Sequence, residues 1–294
     1  MDTEVGNPRQ SRLKDFYANP WTQIILIRMI CFCCPGMYNA LGGLGGSGQV
    51  DKTVAANADV ALLSATAATA LFIVGPLFSW VGPRTCFLLG GWTYALYSGS
   101  LLNFNRMFYY NGAFVIASGA ILGIGASMLW VVQGAIMTTY VEESQKGRVI
   151  AVFWIIFNVG GGVGSLASFG LNSHSKSGTV SDSTYIALMV IMLVGWVLGV
   201  FICSPPRIKL AQLHAAVESE TYSLKETAKR SVQTQGFAYW LIGMESNSTT
   251  RAAVLVGAYK TFQATDGAMA WRINALRVSA MAQLAMTWRL SMGA

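Results

Sequence analysis

"CPGMYNALGGLGGSGQ", residues 34–49, decides between a soluble nucleotide-binding domain and a membrane helix. Gly43, Gly45 and Gly48 satisfy the G-x-G-x-x-G spacing of a dinucleotide turn. That turn needs a short buried strand before it, a helix opening on it, and an acidic residue about 20 positions later. Here the preceding apolar run is far longer than one strand and includes Arg28, Pro35 and Asn39. "QVDKTVAANADV" (49–60) follows, polar and without an apolar helical stripe. A second glycine cluster, "NVGGGVGS" (158–165), lies inside another apolar run, where no phosphate is expected. Both clusters read as glycines that let helices pack closely or bend.

Outward from this stretch, charge is scarce. Asp, Glu, Lys and Arg make up 11% of the chain, against about 25% in an ordinary soluble domain. Residues 60–83, 107–141 and 149–173 carry none of them. Each window exceeds the roughly 20 residues that cross a bilayer core as a helix. The sequence therefore predicts an all-α polytopic membrane protein with spans at about 23–46, 58–79, 85–102, 111–139, 149–171 and 184–204. Helices are the expected form because an open sheet cannot satisfy its backbone in lipid.

The net charge of +7 is read as loop charge rather than as a nucleic-acid surface. With the N-terminus inside, the cytosolic segments hold Arg9, Arg12, Lys14, Arg84, Lys146, Arg148, Arg207, Lys209, Lys225, Lys229 and Arg230. The opposite loops hold Lys52, Arg106 and Lys176, eleven against three, so the positive-inside rule places the N-terminus in the cytosol. The first 22 residues are polar and lack the apolar core of a signal peptide.

The domain reading is a cytosolic tail (1–22), a six-helix bundle (23–206), a cytosolic linker (207–235) and a remnant (236–294). The remnant has room for marginal helices at about 252–271 and 275–294, or for an amphipathic segment lying on the membrane. The sequon at Asn247 follows the linker with no full span between, so it is expected to be unmodified. Cys31, Cys33, Cys34, Cys86 and Cys203 lie in apolar runs, and His174 and His214 are far from them. That spacing suits neither a disulfide framework nor zinc. No P-loop, G-x-S-x-G or H-E-x-x-H motif is present, and the C-x-x-C spacing of Cys31 and Cys34 lies inside an apolar run, so neither an enzyme nor a cofactor is expected.

Gly42/Gly46, Gly119/Gly123, Gly160/Gly164 and Gly195/Gly199 are G-x-x-x-G pairs, expected to pack helices closely. Polar residues inside spans are costly in lipid and tend to face the bundle interior. The candidates for a substrate cavity are Arg28, Asn39, Trp130, Gln133 and Asn158. Arg28 either snorkels to the interface or faces a cavity. Asn39, Gln133 and Asn158 either build a polar pocket or make separate interhelical hydrogen bonds. No carboxylate or histidine is read in mid-span, which argues against a proton relay through this half.

"FSWVGPRTCFLLGG" (78–91) resembles the loop between the second and third helices of the major facilitator superfamily, without its usual Asp. "CPGMYNALGGLGGSGQ" and "ILGIGASMLWVVQGAIMTTY" (121–140) resemble the first and fourth helices of its Unc-ninety-three-like, ion-channel-regulatory branch, fungal type. "GAYKTFQATDGAMAWRINAL" (257–276) is similar to the penultimate helix of that branch. The resemblance implies twelve helices, of which seven to ten are missing here, as in a truncated product. It further implies a transporter of an unidentified small solute, or a non-transporting regulator that binds other membrane proteins. The expected partners are the lipid bilayer, such membrane proteins, and no nucleic acid.

Overall fold

The computed structural model describes residues 16–44, 46–48, 52–107, 112–173 and 180–203, with 253, 256–261, 263–265 and 268. The expected linker, Asn247 and the helix at 275–294 lie outside the described residues. Helix α1 is Pro20–Cys33. It starts where Asn19 Oδ1 accepts the Trp21 N–H at 2.9 Å, satisfying one of the orphan donors of a helix N-terminus. Pro35 has no N–H to give to the preceding turn, so the rod bends at Cys34 and continues as α2, Pro35–Gly43. A short 3-10 turn, Gly46–Gly48, closes the opening stretch. Ser47 and Gly48 both take positive φ there, 52° and 73°.

Helix α3 (Lys52–Thr69) runs through a π-helical turn at Ala70–Val74 into α4 (Gly75–Arg106). Gly82 interrupts α4 with φ 76° and ψ 171°, a conformation essentially reserved for glycine. The break makes two rods, corresponding to the expected second and third spans. Helices α5 (Gly112–Thr139), α6 (Glu143–Asn172) and α7 (Asp182–Leu198) complete the set, α7 ending in a 3-10 turn at Gly199–Phe201. Pro20–Gly43, Gly112–Thr139, Ser144–Asn172 and Asp182–Phe201 are long and apolar enough to cross a membrane by length and composition.

Two boundaries differ from expectation in the same sense. The second rod starts at Lys52 rather than near 58, and α6 starts at Glu143 rather than near 149. Hydropathy stops at charged residues, but these turns lie against protein as well as solvent. Ala55, Ala56, Ala58 and Asp59 are buried, as are Lys146 and Val149.

Helix α3 packs on α5, α4 on α5 and α7, and the bent α1–α2 rod on α6 and α7. Without a hydrophobic driving force between helices in lipid, close backbone approach supplies the contact. A Cβ added at Gly119 would lie 2.6 Å from the Ala58 carbonyl oxygen, and one at Gly123 would lie 2.8 Å from Ala65 Cβ. Gly160 faces the Phe32 carbonyl, Gly164 faces Ala40, and Gly195 faces Cys33 and Cys34. Gly199 makes ordinary contact with Phe87 and Leu88, whereas Gly42 faces open space and closes no seam. The first glycine pair therefore departs from the packing role expected of it, because α2 ends one residue beyond Gly42. On α6, Ile155, Leu166 and Phe169 form a strongly exposed apolar stripe.

Candidate functional site

The glycines of the opening stretch form a turn against the start of α7. Tyr185 Oη donates to the Ser47 carbonyl at 2.8 Å, and the Val180 N–H donates to the Gly48 carbonyl at 3.2 Å. A side chain at Gly48 would collide with Val180, so this position requires glycine for both φ and space. The turn is thereby fastened to the bundle through its carbonyls, and Gly48 packs on Val180.

Of the five cavity candidates, the structure buries two. Gln133 is fully enclosed on α5; its Nε2 donates to Met137 Sδ at 2.7 Å, and its Oε1 has no hydrogen-bond partner among the described residues. Arg28 is enclosed on α1 and donates from Nη2 to the Val149 carbonyl of α6 at 3.1 Å, while its Nε has no partner. Arg28 therefore ties two helices together instead of snorkelling. Asn158 is exposed and turns its amide back on the Trp154 carbonyl of its own helix at 2.7 Å. Asn39 is also exposed, with its Cβ near Gly161 of α6. The hydrogen bonds thus do not join Asn39, Gln133 and Asn158.

Trp130 sits at the centre of an aromatic cluster between α5 and α6. Its ring lies 6.4 Å from Phe153, 6.4 Å from Trp154 and 5.4 Å from Phe157, centroid to centroid. Such pairs contribute about 0.5–1.5 kcal/mol each beyond their buried area. Over the Trp130 face stands the Lys260 ammonium, 4.2 Å from the ring centroid, also donating to Gln263 Oε1 at 2.6 Å. A cation on an indole face is worth about 0.5–2 kcal/mol, more when desolvated.

Lys260 arrives on the helical residues 256–261. Thr261 Oγ1 donates to the Ala67 carbonyl of α3 at 3.0 Å, and Gly257 lies 2.5 Å from the Ala70 carbonyl by its would-be Cβ. This segment follows the expected helix at about 252–271, and its lysine is buried protein rather than a break in a span. Sequence reasoning passed over Lys260 because the indole under it, Trp130, belongs to a distant helix.

Asp59 was also missed. It lies two turns inside α3, enclosed, and accepts a 2.7 Å hydrogen bond from Tyr38 Oη of α2. Tyr38 in turn packs against Tyr94 and Tyr97 of α4, at 6.3 and 5.7 Å between centroids. A carboxylate is therefore enclosed at the edge of the expected second span, a position that the mid-span reading did not address.

The profile of the ion channel regulatory protein UNC-93 family matches residues 53–240. The chain belongs to the UNC-93 family. An UNC93-like protein of Schizosaccharomyces pombe is 38% identical over 236 residues, covering 80% of this chain and 46% of the relative. UNC93-like protein 1 of Arabidopsis thaliana is 46% identical over 184 residues, covering 62% of this chain and 39% of the relative. UNC93-like protein MFSD11 of Xenopus laevis is 29% identical over 198 residues, 65% of this chain and 43% of the relative. The chain thus spans less than half the length of these curated relatives. It is an integral membrane protein of the UNC93-like type.

Proposed function

We propose that this bundle forms the solute-binding half of a transporter of the major facilitator type, with its N-terminus in the cytosol. The observation that carries the reading is the buried Gln133 Oε1, which has no hydrogen-bond partner among the described residues. It stands one turn from Trp130, whose ring bears Lys260. An orphaned buried acceptor costs about 1–3 kcal/mol, and a solute donor reaching it would recover that loss. In such carriers a midplane site between two helical halves is exposed alternately to either side. Arg28, Asn39, Trp130, Gln133 and Asn158 are the residues assigned to that cavity, with Gln133 as the central acceptor. The test is uptake by proteoliposomes containing the purified chain, across a broad solute panel. Saturable uptake abolished by Gln133→Ala supports the proposal, and no flux for any solute counts heavily against it.

A second reading is a non-transporting regulator bound to other membrane proteins. The matched family, that of the ion channel regulatory protein UNC-93, favours it. The apolar stripe Ile155, Leu166 and Phe169 offers a surface in the membrane plane. Stable co-purification of a defined membrane protein from mild detergent supports this reading. A lone monodisperse monomer with measurable solute binding sinks it.

A further inference from the structure

Among the described residues, no ion pair is formed by Asp59. Its hydrogen-bond partner among the described residues is Tyr38 Oη at 2.7 Å, and the ion pair formed elsewhere joins Arg106 to Asp182 near the start of α7. Every element around it is accounted for. Helix α5, the main neighbour of α3, contains no titratable side chain, nor do the 46–48 turn and the π-helical turn. Helix α2 contributes Tyr38, α4 contributes Tyr94 and Tyr97, and α7 contributes Tyr185, whose hydroxyl is committed to Ser47. Lys260 and Tyr259 belong to the segment packed at Ala67 and Ala70, two turns further along α3. Lys52, on α3's own first turn, is two turns away in the other direction.

A second observation is independent of the first. The Tyr97 hydroxyl is fully enclosed beside Tyr38, with Ser47 alongside, and its oxygen meets no donor at bonding geometry among the described residues. A phenol oxygen can accept as well as donate. Tyr97 thus keeps acceptor capacity in the field of Asp59. A charged carboxylate accepts from Tyr38 alone among the described residues; a protonated carboxyl could also donate to Tyr97.

We propose that Asp59, Tyr38 and Tyr97 form a proton-binding site inside the bundle. The carboxylate takes a proton from hydronium, leaving water. Tyr38 keeps its donation to one carboxyl oxygen, and the new O–H donates to Tyr97 Oη. A hard metal cation would want about six oxygens, whereas the buried neighbours on α3 are the methyl groups of Ala55, Ala56 and Ala58. The site is a proton site whatever solute the bundle carries, so its test does not depend on flux.

The experiment is infrared difference spectroscopy of the purified chain labelled with carbon-13 aspartate, titrated from about pH 9 to about pH 5. A label-sensitive carboxyl C=O band should grow on acidification and be lost in Asp59→Asn. In Tyr97→Phe, which keeps the carboxyl and its Tyr38 bond, the band should persist but move to higher frequency, as its O–H loses an acceptor. That variant keeps the test decisive if Asp59→Asn fails to fold. The proposal is overturned by a titrating band that survives in Asp59→Asn, by no such band in wild type, or by an unshifted band in Tyr97→Phe. Repeating the titration with and without sodium separates the cations; a band governed by sodium at fixed pH also overturns it.

Discussion

Gly119→Val should destabilise the bundle far more than the same change at Gly162, and the reason can be worked from the helix seam. At Gly119 a Cβ would stand 2.6 Å from the Ala58 carbonyl oxygen and 3.1 Å from its carbon, whereas ordinary contact begins at 3.4 Å. Helices α3 and α5 must then part by about 0.8 Å, the difference between 3.4 and 2.6 Å. The opposing atoms are backbone, so no rotamer change relieves the overlap. Overpacking of this kind costs about 1–3 kcal/mol, and the two methyl groups of valine place the loss at the upper end. Gly162 has nothing within 4 Å of its would-be Cβ, so valine there should stay within roughly 0.5 kcal/mol of wild type. The two variants share the backbone-propensity term, and their difference isolates packing. In detergent, a loss of 2–3 kcal/mol lowers the melting temperature by on the order of 5 °C or more. Equal melting of the Gly119 and Gly162 variants would refute the packing argument.

Other consequences follow from single contacts. Arg28→Met removes a buried charge whose Nε is unpartnered, so stability should hold within about 1 kcal/mol or improve, while solute uptake falls; parallel melting and flux assays read the split. Tyr185→Phe deletes the 2.8 Å bond to the Ser47 carbonyl and should lower stability by about 1 kcal/mol, with faster amide exchange around Gly48. For orientation, exposed Arg84 and Arg106 lie at opposite ends of one rod. With the native cysteines replaced, Arg84→Cys should react with an impermeant maleimide only from the cytosolic side, and Arg106→Cys only from the other.

How far the sequence revealed the fold depends on the residue. Charge-free windows marked the second rod, α5 and α6, because apolar length is a property of the local chain. Helix starts at Lys52 and Glu143 were not legible, since a charge was taken to mark the edge of lipid when it marked protein-lined interior. Gly119, Gly123, Gly160 and Gly164 met neighbouring backbone or side chains, but Gly42 did not, because a glycine spacing does not say which face of a helix has a neighbour. Gln133 and Arg28 were legible as costly polar groups in apolar runs, and both are enclosed. Lys260 on Trp130 and Tyr38 on Asp59 were not, because each pair joins two different helices, a contact that no local spacing encodes. Asn158 shows the converse: its amide is satisfied by its own preceding turn, a solution that spacing alone does not distinguish from an interhelical bond.

The central claim is that the enclosed polar interior binds and passes a solute. Its most direct measurement is solute flux in proteoliposomes, comparing wild type with Gln133→Ala at matched protein content. The account predicts saturable uptake in wild type that falls at least about tenfold in the variant, the loss of roughly 1.4 kcal/mol at the binding step. Uptake identical in the two proteins, or none from either across the panel, would contradict it.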